Sequence, residues 1–215
     1  MQPTGLTANI FYSGSYRILA DDIFRLRKSI FVNELGWILT CVEGREMDQF
    51  DRNDTIHCGL FLDGDLIGTF RAIRCDRPYL SASVFPRLAS HKSYPDCDGC
   101  WEISRFGLLK QHRRHAAALY AVMFGFGWAR RARALVALAD ATYERFLQAS
   151  GIVTVRYGEM QVIGVDNHGR DIPAVAGEIP MDAQAPALVA RMRALLQTVE
   201  VSDETLVLGP RRISA

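Results

Sequence analysis

The chain has 215 residues, 49% of them hydrophobic and 23% charged, with a mean hydropathy near zero and a formal net charge of +1. That composition excludes wholesale disorder, collagen and a membrane bundle, and the near-neutral charge argues against global affinity for nucleic acid. One core at this length can bury roughly 70% of the extended surface, so a single domain over residues 1–215 is expected, with no need of a disulfide or a structural metal.

Residues 15–35 place apolar side chains at Ile18, Leu19, Ile23, Leu26, Ile30 and Leu35 with charges between, which predicts a helix that Gly36 stops. Residues 38–54 have no period and many acids and turn formers, so a long irregular, lid-like segment is expected. The N-terminal helix and this segment span about 15–54, and the core about 55–215. IHCGLFL, the turn Asp63-Gly64-Asp65 and LIGTFRAIR predict a hairpin. Residues 76–100 are rich in Pro, Ser and Asp and read as a second long connection. WEISRFGLL is then a strand, His112 to Arg133 a helix and ALVALAD a short buried strand. ATYERFLQAS is a helix ended by Gly151, VTVRYGEMQVIGVD supplies more strand, and Pro186 to Glu200 is amphipathic through Leu188, Met192, Leu195 and Val199. Such alternation implies an α/β sheet layered with helices.

Charge is segregated along this path. Between Glu43 and Asp65 seven acids stand against Arg45 and Arg52. Between Ile103 and Ala139 seven bases (Arg105, Lys110, Arg113, Arg114, Arg130, Arg131, Arg133) meet no acid. They read either as a solvated helix face or as a docking surface for an acidic partner or a phosphate. Five irregularly spaced cysteines fit a reducing compartment. The N-terminus has no basic start followed by an apolar run, and the longest apolar stretch, Ala134 to Ala139, is far short of a membrane span. A cytoplasmic chain with no membrane partner is expected.

Cys97 and Cys100, followed by His112 and His115, suggest zinc, but the histidine spacing is too short for a finger and the strand between them is not a finger helix. No metal is expected. No GxSxG elbow, P-loop or GxGxxG is present, so neither a hydrolase triad nor a nucleotide loop is supported. What remains are charged residues beside apolar strands: Arg27, Asp48, Asp51, Arg71, Glu102 and Arg105. Three positive and three negative charges balance if they converge. They could line a cleft, or simply order the long loop as an ion-pair network. Glu102 and Arg105, three apart in a strand, point to opposite faces unless a bulge re-aims one of them.

Six blocks stand in order: RLRKSIFVNELGW (Arg25 to Trp37), EMDQFD (Glu46 to Asp51), GTFR (Gly68 to Arg71), RPY (Arg77 to Tyr79), FPRL (Phe85 to Leu88) and WEISRF (Trp101 to Phe106). Together they resemble the signature blocks of the acyl-homoserine-lactone synthases, the LuxI-type autoinducer synthases of quorum sensing. The later ALVALADATYERFLQASG is similar to that family's strand and following helix. The resemblance implies a three-layer α-β-α sandwich with a central mixed sheet splayed into a V, similar to the GNAT N-acyltransferases. It implies transfer of an acyl group from a thioester, on acyl carrier protein or coenzyme A, to the amine of S-adenosylmethionine, then lactonisation with release of methylthioadenosine. Both molecules are substrates, so no cofactor is implied.

Residue by residue, the resemblance places Glu102, Arg105, Asp48, Asp51 and Arg71 in the catalytic site, and Arg27, Phe31, Trp37 and Arg105 around S-adenosylmethionine. Glu102 is the candidate base, directly or through water. In the strand where members preferring 3-oxo chains carry threonine, this chain has Ala137 and Ala139, so the acyl pocket is expected there without that preference. The stretch QHRRHAA lacks the glycine of a GNAT pyrophosphate loop. Docking of a carrier or its phosphopantetheine therefore falls to Lys110, Arg113 and Arg114, expected to begin a helix, and to Arg130, Arg131 and Arg133 near its far end. The competing readings are a plain GNAT acetyltransferase using acetyl-coenzyme A and, from another class, a zinc- or nucleic-acid-binding module.

Overall fold

The computed structural model describes residues 5–206. Its centre is a nine-stranded mixed sheet built from β1 (Leu6–Tyr12), β4 (Ile56–Leu62), β5 (Asp65–Arg74), β6 (Cys100–Leu108), β7 (Ala134–Asp140), β8 (Val155–Arg156), β9 (Gln161–Val165), β10 (Asp171–Pro180) and β11 (Glu200–Asp203). The order is β11-β1-β4-β5-β6-β7-β10-β8, with β9 also pairing β10. On one face lie α1 (Arg17–Arg27) and α2 (Leu80–Val84). On the other, α3 (Ala116–Ala129), α4 (Ala141–Ala149) and α5 (Pro186–Leu196) cover the largest apolar cluster. This is the three-layer α-β-α arrangement expected.

The β4–β5 hairpin forms as the Asp-Gly pair dictates: Asp63 and Gly64 both take positive φ, at 51° and 94°, which matches the twist of a two-residue turn. Side-chain alternation along β7 sorts Val136 and Leu138 to the α1/α2 face, and Leu135, Ala137 and Ala139 to the α3/α4 face. Strands β6 and β7 run parallel but pair only from Cys100↔Ala134 to Glu102↔Val136. Beyond that point they part, and the expected V opens between them.

Several local readings are corrected. The first helix does not continue to residue 35 as an α-helix, because Lys28–Glu34 is a π-helical turn, with the Leu35 amide donating to Ile30 O at 3.0 Å. The 38–54 segment is not wholly irregular. It carries a short hairpin, β2 (Cys41–Val42) with β3 (Arg45–Glu46), and its second half is buried at Glu46 and Phe50. The helix expected from His112 begins only at Ala116, and Lys110–His115 form a 3₁₀ turn.

The basic residues are therefore not a continuous docking stripe. Arg113 and Arg114 are exposed on the 3₁₀ turn, and Arg131 is exposed past the helix. Arg130 turns inward: it makes a two-pronged ion pair with Asp203 at 2.8 and 3.1 Å, bonds Thr205, and sits 3.8 Å over the Phe126 ring. The Arg133 guanidinium contacts the Cys97 and Cys100 sulfurs at 3.3 Å. Those two cysteines and the His112/His115 pair stand near opposite ends of β6, about 26 Å of strand apart at ~3.3 Å per residue. Among the described residues no group of three His, Cys, Asp or Glu could hold a metal ion, and no helix is long and apolar enough to cross a membrane.

Arg130→Glu should therefore act on stability. Reversing one member of a buried pair leaves Asp203 facing another carboxylate, a loss of about 3–5 kcal/mol by precedent. Urea unfolding checks this, with Arg131→Glu as the exposed control expected to stay within about 0.5 kcal/mol.

Candidate active site

The site grows from a closed set of six charges. Arg27, at the end of α1, donates to Glu46 at 2.6 Å and to both oxygens of Asp51 at 2.7 and 2.9 Å. Arg71, in β5, donates to Asp48 at 2.6 Å, to Asp51 at 3.0 Å and to the Ser104 hydroxyl at 3.0 Å. Arg105, in β6, donates to Glu46 at 2.8 and 3.0 Å and to Asp48 at 3.0 Å. Three guanidinium groups meet three carboxylates, so the cluster is neutral. Arg27 and Arg71 are fully shielded from solvent, which only such mutual pairing makes tolerable.

A bulge makes this convergence possible. Thr69 lies opposite Gly107 and Arg71 opposite Ser104, so β6 carries one residue more than β5 between those pairs. Arg105 takes φ +52°, in the left-handed region that a branched-free but bulky side chain rarely adopts. The extra residue turns Arg105 toward the face that already holds Ser104 and Arg71. Gly107 lies two residues on, and a Cβ there would stand 3.0 Å from Ile30 and 3.2 Å from Phe31, so a larger residue would press on the π-helical turn.

The electrostatics follow from the pairing. Burial would raise the Glu46 carboxyl, but Arg105 and Arg27 together hold it below its usual value. Asp51 is likewise opposed by burial, yet Arg27 and Arg71 hold it far below the carboxylate range. His57, fully buried on β4 against the rings of Phe11 and Phe24, is pushed by burial down to about 3. Asp51 pulls the other way, and Arg27 and Arg71 add to the fall. His57 is therefore neutral.

Two cavities flank the V. One of about 420 Å³ is apolar over most of its lining, with Trp37 and Leu138 among others, and takes a polar wall from Glu46, Asp48, Ser81, Ser104 and Arg105. On the other face an apolar cleft of about 340 Å³ is lined by Phe31, Phe106, Tyr120, Tyr143 and Phe146, with Arg113 at its rim. Phe31 and Trp37 stack at 5.4 Å, so one pair of rings presents a member to each cavity. A third, small cavity of about 30 Å³ lies behind the cleft, against Ala137 and Ala139.

Of the residues singled out from the sequence, Arg27, Asp48, Asp51, Arg71 and Arg105 are brought together, and Phe31 and Trp37 adjoin them. Glu102 is not part of the cluster. It is buried on the α2 side, where its carboxylate accepts from the Leu80 amide at 3.1 Å, the Ser81 amide at 2.7 Å and the Ser81 hydroxyl. Its place in the ring of charges belongs to Glu46, which the sequence reading passed over although it opens the EMDQFD block two residues before Asp48. Ser104, inside WEISRF, had the same signal, whereas Ser81 had none. Ala137 and Ala139 line the small rear cavity and not the main cleft.

A family model described as autoinducer synthase matches residues 12–185. An acyl-homoserine-lactone synthase of Ralstonia nicotianae is 33% identical over 172 residues, covering 75% of this chain and 81% of that protein. Among solved structures, TofI in a ternary complex with an inhibitor and MTA is similar with a TM-score of 0.71 at 28% identity, covering 88% of this chain and 99% of that one. BjaI, a CoA-dependent acyl-homoserine lactone synthase with SAM and isopentyl-CoA, shares the fold with a TM-score of 0.78 at 21% identity, over 93% and 94% of the two chains.

The cluster makes stability depend on pH in one direction. His57 binds its proton in the unfolded chain near pH 6.5 but in the folded one only near 3, so its contribution is full above pH 6.5 and fades as pH falls toward 3. Glu46 and Asp51, with depressed values, contribute above their unfolded values near 4 and are lost on further acidification. The unfolding free energy should fall by about 1.4 kcal/mol per pH unit between pH 6 and 4 from His57 alone. In His57→Gln that slope should largely vanish while the steep loss below pH 4 remains, as denaturant titrations across this range would show.

Proposed function

The chain belongs to the autoinducer synthase family, and from that premise we propose that its two cavities divide acyl-homoserine-lactone synthesis between them. S-adenosylmethionine occupies the cavity with the charged wall, called the polar cavity for that wall, and the acyl thioester the apolar cleft. The observation that carries this reading is the parting of β6 from β7 after Glu102↔Val136, with a charged cavity on one face of the gap and an aromatic cleft on the other. An amine and a thioester carbonyl brought to that gap from opposite faces meet without either substrate crossing the other's site.

Acylation needs a free amine. An α-amine has a pKa near 7.7–8.0 and the sulfonium lowers it, so a modest base suffices. Glu102 does not line the polar cavity, but Ser81 does, and its hydroxyl bonds the Glu102 carboxylate. In this reading the amine's proton passes to the Ser81 oxygen as the Ser81 proton passes to Glu102, the thioester C–S bond breaks as the C–N bond is completed, and the departing thiolate takes up the proton. Amide N–H groups of the parted strands would steady the carbonyl oxygen as it gains charge. The neutral ion-pair cluster contributes by placing Arg105 and Asp48 rigidly on the cavity wall, where they can meet the amino acid end of S-adenosylmethionine.

Lactonisation follows when the carboxylate oxygen attacks the γ-carbon and methylthioadenosine leaves as a neutral thioether. No acid is required. The step annihilates charge, so it gains from a dry site, and ring closure gains from a held conformation. Stacked Phe31 and Trp37 exclude water at the gap, and Trp37 faces the polar side, where cation–π attraction to the sulfonium is available.

The acyl donor enters from the rim where Arg113 stands. Acyl carrier protein and coenzyme A both present a phosphopantetheine phosphate, and Arg113, with Lys110 and Arg114 on the same turn, is the group placed to meet it. Arg130, held by Asp203, takes no part. Neither substrate brings a resident cofactor with it.

Glu102→Gln should lower the acylation rate roughly 10²-fold or more. Ser81→Ala keeps both backbone amides on Glu102 and so the cap of α2, and should lower the rate in the same direction without loss of fold. Methylthioadenosine release and lactone formation, followed together, test both. An unchanged rate in Ser81→Ala would place the base elsewhere, and a chain that acylates an amine without releasing methylthioadenosine would be a plain acyltransferase. Arg113→Ala should raise KM for carrier-protein and coenzyme A thioesters alike, which steady-state comparison of the two with one acyl group would reveal.

A further inference from the structure

The rear cavity and the aromatic cleft share one residue, Tyr143. We infer that Tyr143 is the end wall of the acyl site and sets the longest acyl chain this protein accepts. The inference rests on the cleft being the acyl site.

Three observations carry it. Tyr143 is fixed at the first turn of α4, where its amide donates to the Asp140 carboxylate at 2.7 Å and so anchors the start of the helix. Its ring is held edge-on to Phe106 at 6.0 Å and stacked on Tyr120 at 6.0 Å, and Tyr120 in turn stacks on Phe146 at 5.1 Å. A ring wedged between two others on an anchored helix is a wall and not a mobile flap. Behind it lies unused apolar space, between Leu135, Ala137 and Ala139 on β7 and Leu147 on α4, continuing to Val175 and Ile179 on β10.

The two alanines leave that space open. At the matching depth on the opposite face the strand carries Val136 and Leu138, while Ala137 and Ala139 stand against the rear cavity. Burial raises the Tyr143 hydroxyl to about 12, and the Tyr120 hydroxyl partly offsets this, so the wall is neutral at any ordinary pH and compatible with an alkyl terminus. A saturated chain entering from the Arg113 rim would thus end against Tyr143, with further depth behind the ring that it cannot reach.

The test is a homologous series of saturated acyl thioesters of increasing length, with kcat/KM read from lactone formation and methylthioadenosine release. The wild-type protein should show a sharp fall beyond one limiting length. In Tyr143→Ala the limit should move to longer chains, with roughly 10-fold or more gained on the first chain beyond the old limit, the scale on which an apolar pocket discriminates a methylene. Tyr143→Phe should keep the wild-type limit, because the ring and not the hydroxyl is the barrier. Ala137→Leu added to Tyr143→Ala should refill the rear cavity and restore the shorter limit, which a general loosening of α4 would not permit. An identical length profile in wild type and Tyr143→Ala would overturn the assignment. A wild-type protein that releases no methylthioadenosine with any thioester would instead overturn the functional reading on which it rests.

Discussion

Six buried charges hold four separate parts of the chain to one another. Arg27 ends the first helix, Glu46 closes the short hairpin with Asp48 and Asp51 on the segment that follows it, and Arg71 and Arg105 sit on neighbouring strands. Taking such groups out of water costs several kcal/mol per ion, so removing any one partner leaves an uncompensated charge among the others. The cluster converts a stretch of chain with little apolar content into a rigid wall at net zero charge, so that wall offers the cavity charged groups of both signs without a strong bias toward either.

Two backbone irregularities stand next to that wall. Arg105 holds a left-handed conformation in the middle of a strand, and Phe31 sits in a π-helical turn. Both are costly for an L-residue or an extended helix, and both persist because packing over-determines them. The bulge aims Arg105 into the charge cluster. The π turn lays Phe31 against Gly107 and under Trp37. Two irregularities on different elements thus fix the two sides of one gap, and the gap is where the sheet divides its faces into a polar and an apolar compartment.

The period-2 alternation of β7 maintains that division. Leu138 looks into the polar cavity, while Ala137 and Ala139 look away from it toward α4. A one-residue slip would exchange the two sets and mix the compartments, and the long antiparallel pairing with β10, from Ala134↔Pro180 to Asp140↔Ala174, prevents it. Glu102 belongs to the same logic. By capping α2 it pins Ser81 at the cavity wall, so a carboxylate removed from solvent is still in contact with the polar compartment through one hydroxyl.

Much of this was legible in the sequence, because much of it is set by short-range chemistry. The Asp63-Gly64 turn, the strands IHCGLFL and WEISRFGLL, the first helix and the helix ATYERFLQAS ended by Gly151 follow from turn geometry, apolar period and stop signals. The blocks around Arg27, Asp48, Arg71 and Arg105 carry the family resemblance, and the balance of their charges already implied convergence. The sequence could not say which carboxylate closes the ring, since Glu46 and Glu102 are equivalent as residue types and only the meeting of distant segments chooses between them. Nor could it say that Arg105 bulges, that a 3₁₀ turn delays α3 to Ala116, or that Arg130 folds back onto Phe126 and Asp203 while Arg113 stays at the cleft rim. A run of like charges reads as one surface along a chain. Tertiary structure splits it, because a guanidinium goes wherever a carboxylate and an aromatic face can be reached, and for Arg130 the carboxylate lies 73 residues away in sequence.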